Sequence, residues 1–139
     1  LYLDGLPDAA LDRIVHWADA ARSPLSTVDV WHLGGAIAEV GTEESAFAGR
    51  SAPFLLGVEA NWESPAEDEA NVRWVRDCLD DMRRFSDGSF YLNFPGFFEE
   101  GEDMVRTTFG STYERLVDLR SEYDPTNLFR RPPDVTPSM

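Results

Sequence analysis

Two histidines, His16 and His32, and one cysteine, Cys78, are the side chains in this 139-residue sequence that ordinarily exchange protons or act as nucleophiles near neutral pH. His32 follows Trp31 at the end of a β-branched and aromatic run and directly precedes Gly34-Gly35. An imidazole there could bind a substrate oxygen or move a proton, although a histidine satisfied within a sheet is the simpler reading. His16, between Val15 and Trp17 in a helical pattern, is read as a surface or partly packed residue and receives no role. Cys78 falls beside a helical apolar stripe and reads as a small buried residue rather than a reactive thiol. The sequence has no glycine-rich phosphate loop, no His-x-x-x-His pair and no Gly-x-Ser-x-Gly elbow, which disfavours self-contained nucleotide or hydrolase chemistry. No metal site is expected.

These side chains need elements to hold them. Pro7-Asp8 followed by Leu11, Ile14, Val15 and Ala18 predicts an amphipathic helix over 8–22 with those four on its apolar face, ended by Ser23-Pro24. Thr27 to Leu33 alternates as a strand, with Val28, Val30 and His32 on one side and Asp29, Trp31 and Leu33 on the other. Gly34-Gly35 then marks a bulge or a close approach to something large and flat, and Ala36 to Val40 reads as extended again. Pro53 to Trp62 is the strongest strand pattern. Acidic residues from Pro65 to Glu69 and basic ones at Arg83-Arg84 bracket a helix with a Val72, Val75, Leu79, Met82 stripe.

After the turn Asp87-Gly88-Ser89 comes a short extended piece, Phe90 to Phe94, and a loop at Pro95-Gly96. A further helix is expected after Gly110-Ser111, with Ser111 and Glu114 at capping-box spacing, ending at Asp124-Pro125. The tail from Arg131 reads as extended and poorly ordered. Helices alternating with strands that pair through hairpin-length loops predict an α+β fold, a mainly antiparallel sheet covered by helices.

With 42% hydrophobic and 12% aromatic residues, the chain should fold as one domain. Its 26 acidic against 12 basic residues, net −14, would repel phosphate backbones and anionic lipid surfaces, so no nucleic-acid or membrane partner is expected. No apolar run approaches the roughly 20 residues needed to span a bilayer. The first residues lack a secretion-signal pattern, and a start without methionine suits an excised fragment, which leaves the compartment open.

Three motifs in the C-terminal third then carry a resemblance: Tyr91-Leu92-Asn93, Gly110-Ser111-Thr112-Tyr113-Glu114-Arg115-Leu116, and Tyr123-Asp124-Pro125-Thr126-Asn127-Leu128-Phe129. In this order they resemble the C-terminal segment of berberine bridge enzyme-like FAD-linked oxidases. Upstream, Trp31 to Ile37 is similar to the family's glycine-pair strand. Ser45-Ala46-Phe47-Ala48-Gly49-Arg50 looks like its Thr-Ala-Phe-x-x-Arg turn, with serine in place of threonine and Gly49 in place of a frequent histidine. Trp62 and Trp74 also fall where the family tends to carry tryptophan.

The resemblance implies that residues 1–86 are the distal part of a substrate-binding α+β domain, 87–131 the berberine-type C-terminal segment, and 132–139 an extended tail. It implies FAD, bound mainly by an N-terminal domain outside this chain, with Asn93 and Tyr91 at the flavin ring. Tyr91 would line the site and assist proton removal, though a phenol needs a partner to act as base. Asp29, Trp31 and His32 are the substrate-side candidates, and alternation keeps all three from facing the flavin together. Asp29 with Trp31 would offer a carboxylate and an aromatic platform suited to a sugar or polyketide ring. His32 would offer an imidazole on a valine face and is the preferred second catalytic candidate.

The implied reaction is hydride transfer from an alcohol or amine carbon of a small molecule to flavin N5, with dioxygen as the final acceptor. Tyr113, Arg115 and the Tyr123 to Phe129 exit read as packing and helix-stopping residues, with Asn127 and Arg115 as possible contacts to the flavin domain. The expected partners are a small-molecule substrate and that missing domain. The fragment alone should be inactive and should self-associate through exposed Trp31, Tyr91, Phe94, Phe97 and Phe98. The competing reading is a non-catalytic acidic α+β binding module that self-associates through its sheet.

Overall fold

In the computed structural model the described residues are 1–94, 102–129 and 135. They form two compact units, Leu1–Gly34 with Ala52–Asp87 and Gly35–Ser51 with Gly88–Met139.

The first unit is built on a three-stranded antiparallel sheet. Its strands are β1 (Tyr2–Leu3), β2 (Thr27–His32) and β3 (Phe54–Glu59), in the order β1-β3-β2 with β3 central. At the middle of the central strand Leu55 and Leu56 are both buried, one toward each face, so both faces of β3 are covered there. Helices α1 (Asp8–Asp19) and α3 (Asp68–Met82) pack on this unit, α1 against β2 and α3, and α3 against β3. Leu3, Leu56, Cys78 and Met82 have essentially no exposed surface. Burying a leucine or methionine side chain contributes about 1.5–3 kcal/mol, so these few residues supply much of the unit's driving force.

Each helix turns inward a stripe shifted from the expected one, of which Ile14 in α1 and Met82 in α3 remain. In α1 the inward residues are Ala10, Ile14 and Trp17, while Leu11, Val15 and Ala18 are exposed. The reason is polar: the indole N–H of Trp17 and the guanidinium of Arg13 both reach Asp81 on α3, and that bridge fixes the rotation of the helix. α1 also stops at Asp19 rather than at Arg22. In α3 the buried line is Asn71, Trp74, Cys78 and Met82, with Val72, Val75 and Leu79 half-buried beside it. Trp74 donates its indole N–H to the Trp17 carbonyl at 3.0 Å, tying the same two helices again. Pro65–Glu67 forms a 3-10 turn ahead of α3, and Trp62 bonds Asp68 at the helix start.

The link from β2 to β3 is not a hairpin loop. It contains α2 (Ala36–Glu39) and a 3-10 turn at Ala48–Ser51, and it belongs to the second unit. Ala36 to Val40 is therefore helical where an extended run was expected. Gly35 adopts φ +66°, ψ −135°, a conformation open mainly to glycine, and this turn ends the strand and seats the Ala38 N–H on its own carbonyl at 2.9 Å.

The second unit contains α2, α4 (Glu102–Phe109) and α5 (Tyr113–Tyr123), joined by a 3-10 turn at Gly110–Thr112. Its core is Val105, Tyr113, Val117 and Val135, with Leu92, Phe109 and Leu116 packed around it. The expected capping box does not form. The Thr112 hydroxyl bonds the Phe109 carbonyl, Glu114 pairs with Arg106, and the Ser111 hydroxyl reaches Glu43 instead. Helix α5 ends at Tyr123, as the Asp124-Pro125 pair requires. Asp124 then accepts the backbone N–H groups of Leu128 and Phe129, and Arg120 donates to the Asn127 side chain, while Asn127 sits at φ +51°. The Pro95-Gly96 loop, Phe97 and Phe98 lie outside the described residues, as does the 132–139 tail apart from Val135.

Candidate functional site

Tyr91 and Asn93 sit on a tight turn rather than in the extended piece expected there, closed by the Phe94 N–H on the Tyr91 carbonyl at 3.0 Å. The turn is anchored from both sides. Leu92 packs on the core of the second unit, and the Phe90 N–H bonds the hydroxyl of buried Thr108 on α4. With Leu92 holding the turn inward, Asn93 is exposed and Tyr91 half-buried.

The Asn93 amide donates to the Tyr91 phenol oxygen at 2.8 Å. Among the described residues this leaves the phenol hydrogen as a donor and the Asn93 carbonyl as an acceptor for a ligand. Aromatic edges flank the phenol: Phe94 meets the ring at 5.1 Å and Phe47 at 6.2 Å, both edge to face. Aromatic edges with one donor and one acceptor fit the ring portion of a flavin, a planar heterocycle with carbonyl and N–H groups. The sequence carries no loop for its diphosphate.

Phe47 lies within the Ser45 to Arg50 motif, and the structure shows what holds that motif. Arg50 donates to the Ser45 hydroxyl at 2.7 Å through Nη2 and to the Ile37 carbonyl at 3.0 Å through Nη1. Its guanidinium also lies over the Phe47 ring, 5.3 Å from the centroid. The serine found here in place of threonine supplies the hydroxyl that this arrangement uses. Arg50 thus satisfies a carbonyl of the preceding segment. Arg115, on α5, donates to the Glu43 carbonyl at 2.9 Å. Three motifs separated in sequence therefore meet in one cluster of the second unit. The Phe47 contact to Tyr91 was missed at the sequence level, where no local spacing links the two positions.

The remaining candidates belong to the first unit, on β2. The register pairs Asp29 with Gly57, Trp31 with Leu55 and His32 with Phe54. Asp29 and Trp31 consequently share one face of the sheet, and His32 lies on the other with Val28 and Val30. The Trp31 ring extends across Gly57 so closely that a Cβ there would lie 2.6 Å from it, yet 39% of the residue stays exposed. Asp29 accepts the Thr27 hydroxyl at 2.9 Å. On the opposite face the His32 imidazole folds back over Gly34, where a Cβ would meet it at 2.8 Å, and tilts against Phe54 at 5.4 Å. The flat object that approaches Gly34 is thus the chain's own histidine. His16 is exposed and stacks edge-on against Trp17. Among the described residues no group of three or more His, Cys, Asp or Glu is placed to hold a metal ion.

With this geometry in place, comparison with known proteins gives a consistent result. Residues 90–135 match the family described as berberine and berberine like. The chain is 33% identical over 134 residues to the uncharacterized FAD-linked oxidoreductase YgaK of Bacillus subtilis, covering 95% of this chain and 29% of that protein. It is 23% identical over 126 residues to the aclacinomycin-N/aclacinomycin-A oxidase of Streptomyces galilaeus, covering 79% of this chain and 23% of the relative. In structure it aligns with Physcomitrella patens BBE-like 1 at a TM-score of 0.85 and 19% identity, over all of this chain and 30% of that one. The fold is a fragment of that α+β fold, and the chain spans under a third of the length of these relatives. The matches place it among FAD-linked oxidoreductases. Within them, it belongs to the berberine bridge enzyme-like family of FAD-linked oxidases.

Proposed function

We propose that this chain is the substrate-covering portion and C-terminal segment of an FAD-linked oxidase that oxidises an alcohol or amine carbon of a small molecule, a sugar or a secondary metabolite. Residues 1–86 belong to the substrate-binding domain and 87–131 to the C-terminal segment, and a separate domain of the full-length protein holds most of the FAD. The observation that carries this reading is the Tyr91–Asn93 pair, hydrogen-bonded at 2.8 Å within the segment that matches the family.

When bound, FAD supplies a hydride acceptor at N5 and a route for electrons to dioxygen. The residues of this chain bind, orient and move a proton. Asn93 holds the phenol of Tyr91 and offers its carbonyl to the ring. Tyr91 bonds the substrate heteroatom through its phenol oxygen and accepts that atom's proton as its own hydrogen passes to solvent or to a second base, with His32 as the second candidate for proton removal. Trp31, spread over Gly57 with Asp29 two residues away on the same face, supports recognition of a ring: the indole stacks on an apolar face and the carboxylate accepts from hydroxyls. The isolated 139-residue chain does not turn over substrate.

The test is expression of the full-length protein and its visible spectrum. Bands near roughly 370 and 450 nm are expected from a bound flavin. Tyr91→Phe should then lower kcat by about 10²-fold, within the usual contribution of general acid–base groups, and Asn93→Ala should lower it less. A colourless protein in the presence of added FAD would refute the reading and leave a binding module.

A further inference from the structure

We propose that the Gly41 to Ser51 loop is a brace and that Phe47 is the residue through which it positions the Tyr91 phenol. The inference rests on the reading of Tyr91 as a site residue and adds the device that sets its geometry.

Gly41 to Ala46 is exposed, and an exposed connection needs little internal bonding. This loop has a great deal. The Gly41 N–H bonds the Glu44 carboxylate at 3.0 Å, and the Phe47 N–H bonds the Ser45 hydroxyl at 3.3 Å. Arg50 spans Ser45 and Ile37, and Arg115 with Ser111 ties Glu43 to the start of α5. All of these bonds hold the peptide around one side chain that makes none of its own, the half-buried ring of Phe47. That ring has the Arg50 guanidinium on it at 5.3 Å and the edge of Tyr91 at 6.2 Å. An edge-to-face pair has a preferred angle, so a fixed Phe47 favours one orientation of its neighbour. Asn93 is exposed and bonds the phenol at its oxygen, not at its ring. Phe94 is itself largely exposed. Phe47 is a ring neighbour of Tyr91 whose peptide and surroundings are bonded on several sides. It is a positioning residue: it would touch neither substrate nor flavin and would act through Tyr91.

The experiment is a double-mutant cycle on the full-length, FAD-loaded protein, measuring kcat and KM for wild type, Phe47→Leu, Tyr91→Phe and the double variant. Phe47→Leu should lower kcat about tenfold with KM within about twofold, since an interaction that aligns a reacting group is lost from the transition state. In the Tyr91→Phe background the same change should cost less than about twofold, and Phe47→Tyr, which keeps the ring, should retain wild-type kcat. An equal loss from Phe47→Leu in both backgrounds would overturn the brace and leave the reading of Tyr91 standing. An unchanged kcat in Tyr91→Phe would instead remove the reading of Tyr91. The brace is judged independently by placing 3-fluorotyrosine at position 91 and recording its ¹⁹F resonance. A sharp line that shifts or broadens in Phe47→Leu at unchanged Tm is expected, and an unchanged line would overturn the proposal.

Discussion

At the scale of single residues, Cys78 shows how burial decides chemistry. The thiol is pushed up to about 12, chiefly because burial disfavours the thiolate and secondarily because the Asp81 carboxylate is near, with Arg13 opposing. At pH 8 a group of this pKa is ionised on the order of one part in ten thousand, against roughly a quarter in an unfolded chain. Native protein should therefore resist iodoacetamide, and labelling should become fast in denaturant. Equal rates in both conditions would show that the thiol is not sequestered. The burial of Cys78 was readable because it falls beside a helical apolar stripe, and the side partition of Asp29, Trp31 and His32 was equally readable from alternation along β2. The Phe47 contact was not, because it depends on a loop bonded to α5 by Arg115 and Ser111, and no local rule links positions so far apart.

Among elements, the helix pair α1 and α3 is joined through Asp81. Its carboxyl accepts from the Trp17 indole at 2.8 Å and from Arg13 at 2.5 Å, and Arg84 adds a further bond. Burial alone would raise its pKa. The bond from Trp17, then those from Arg13, and the positive charges outweigh burial, and the group is held below its ordinary value of 3.8. A carboxylate lowered on folding contributes stability that is complete above the unfolded value and is lost as pH falls through the folded one. In urea unfolding, Asp81→Asn should cost about 1.5–3 kcal/mol at pH 7, the range for a hydrogen bond to a charged group. The gap to wild type should close as pH drops below about 3.8. A gap that persists undiminished at pH 2 would mean that the carboxylate charge is not what joins the helices. The same bridge explains why the apolar spacing of Leu11, Val15 and Ala18 misjudged the buried face of α1: periodicity sees hydrophobic residues, whereas this helix is oriented by two polar side chains. Helix α4 and the turn at Tyr91 went unread for a related reason, since Thr108 and Leu92 become informative only when α4 and the turn are seen together. The strands β2 and β3 and the ends of α3 and α5 were legible because alternation, a proline turn and charge placement are local.

For the molecule as a whole, the second unit exposes apolar side chains that its own core does not use. Phe94 is 65% exposed, Leu128 70%, Phe129 72% and Tyr123 76%. Leu128 and Phe129 are moreover fixed by their backbone bonds to Asp124, so their exposure does not come from a loose end. Exposed apolar side chains favour association of the isolated chain. The isolated chain should sediment as dimers or larger species and bind a hydrophobic dye. Its net charge of −14 opposes association, so the effect should strengthen as salt is raised. A monodisperse monomer with little dye binding at high salt would contradict this. Finally, the two rings that lie over glycines on and beside the sheet constrain anyone who redesigns it. Trp31 with Gly57, and His32 with Gly34, each amount to one choice rather than two, because a side chain can grow at the glycine only as the ring above it shrinks. A library that varies positions 31 and 32 while freezing 57 and 34 would sample half of the available solutions at best, and one that varies all four independently would spend most of its members on collisions.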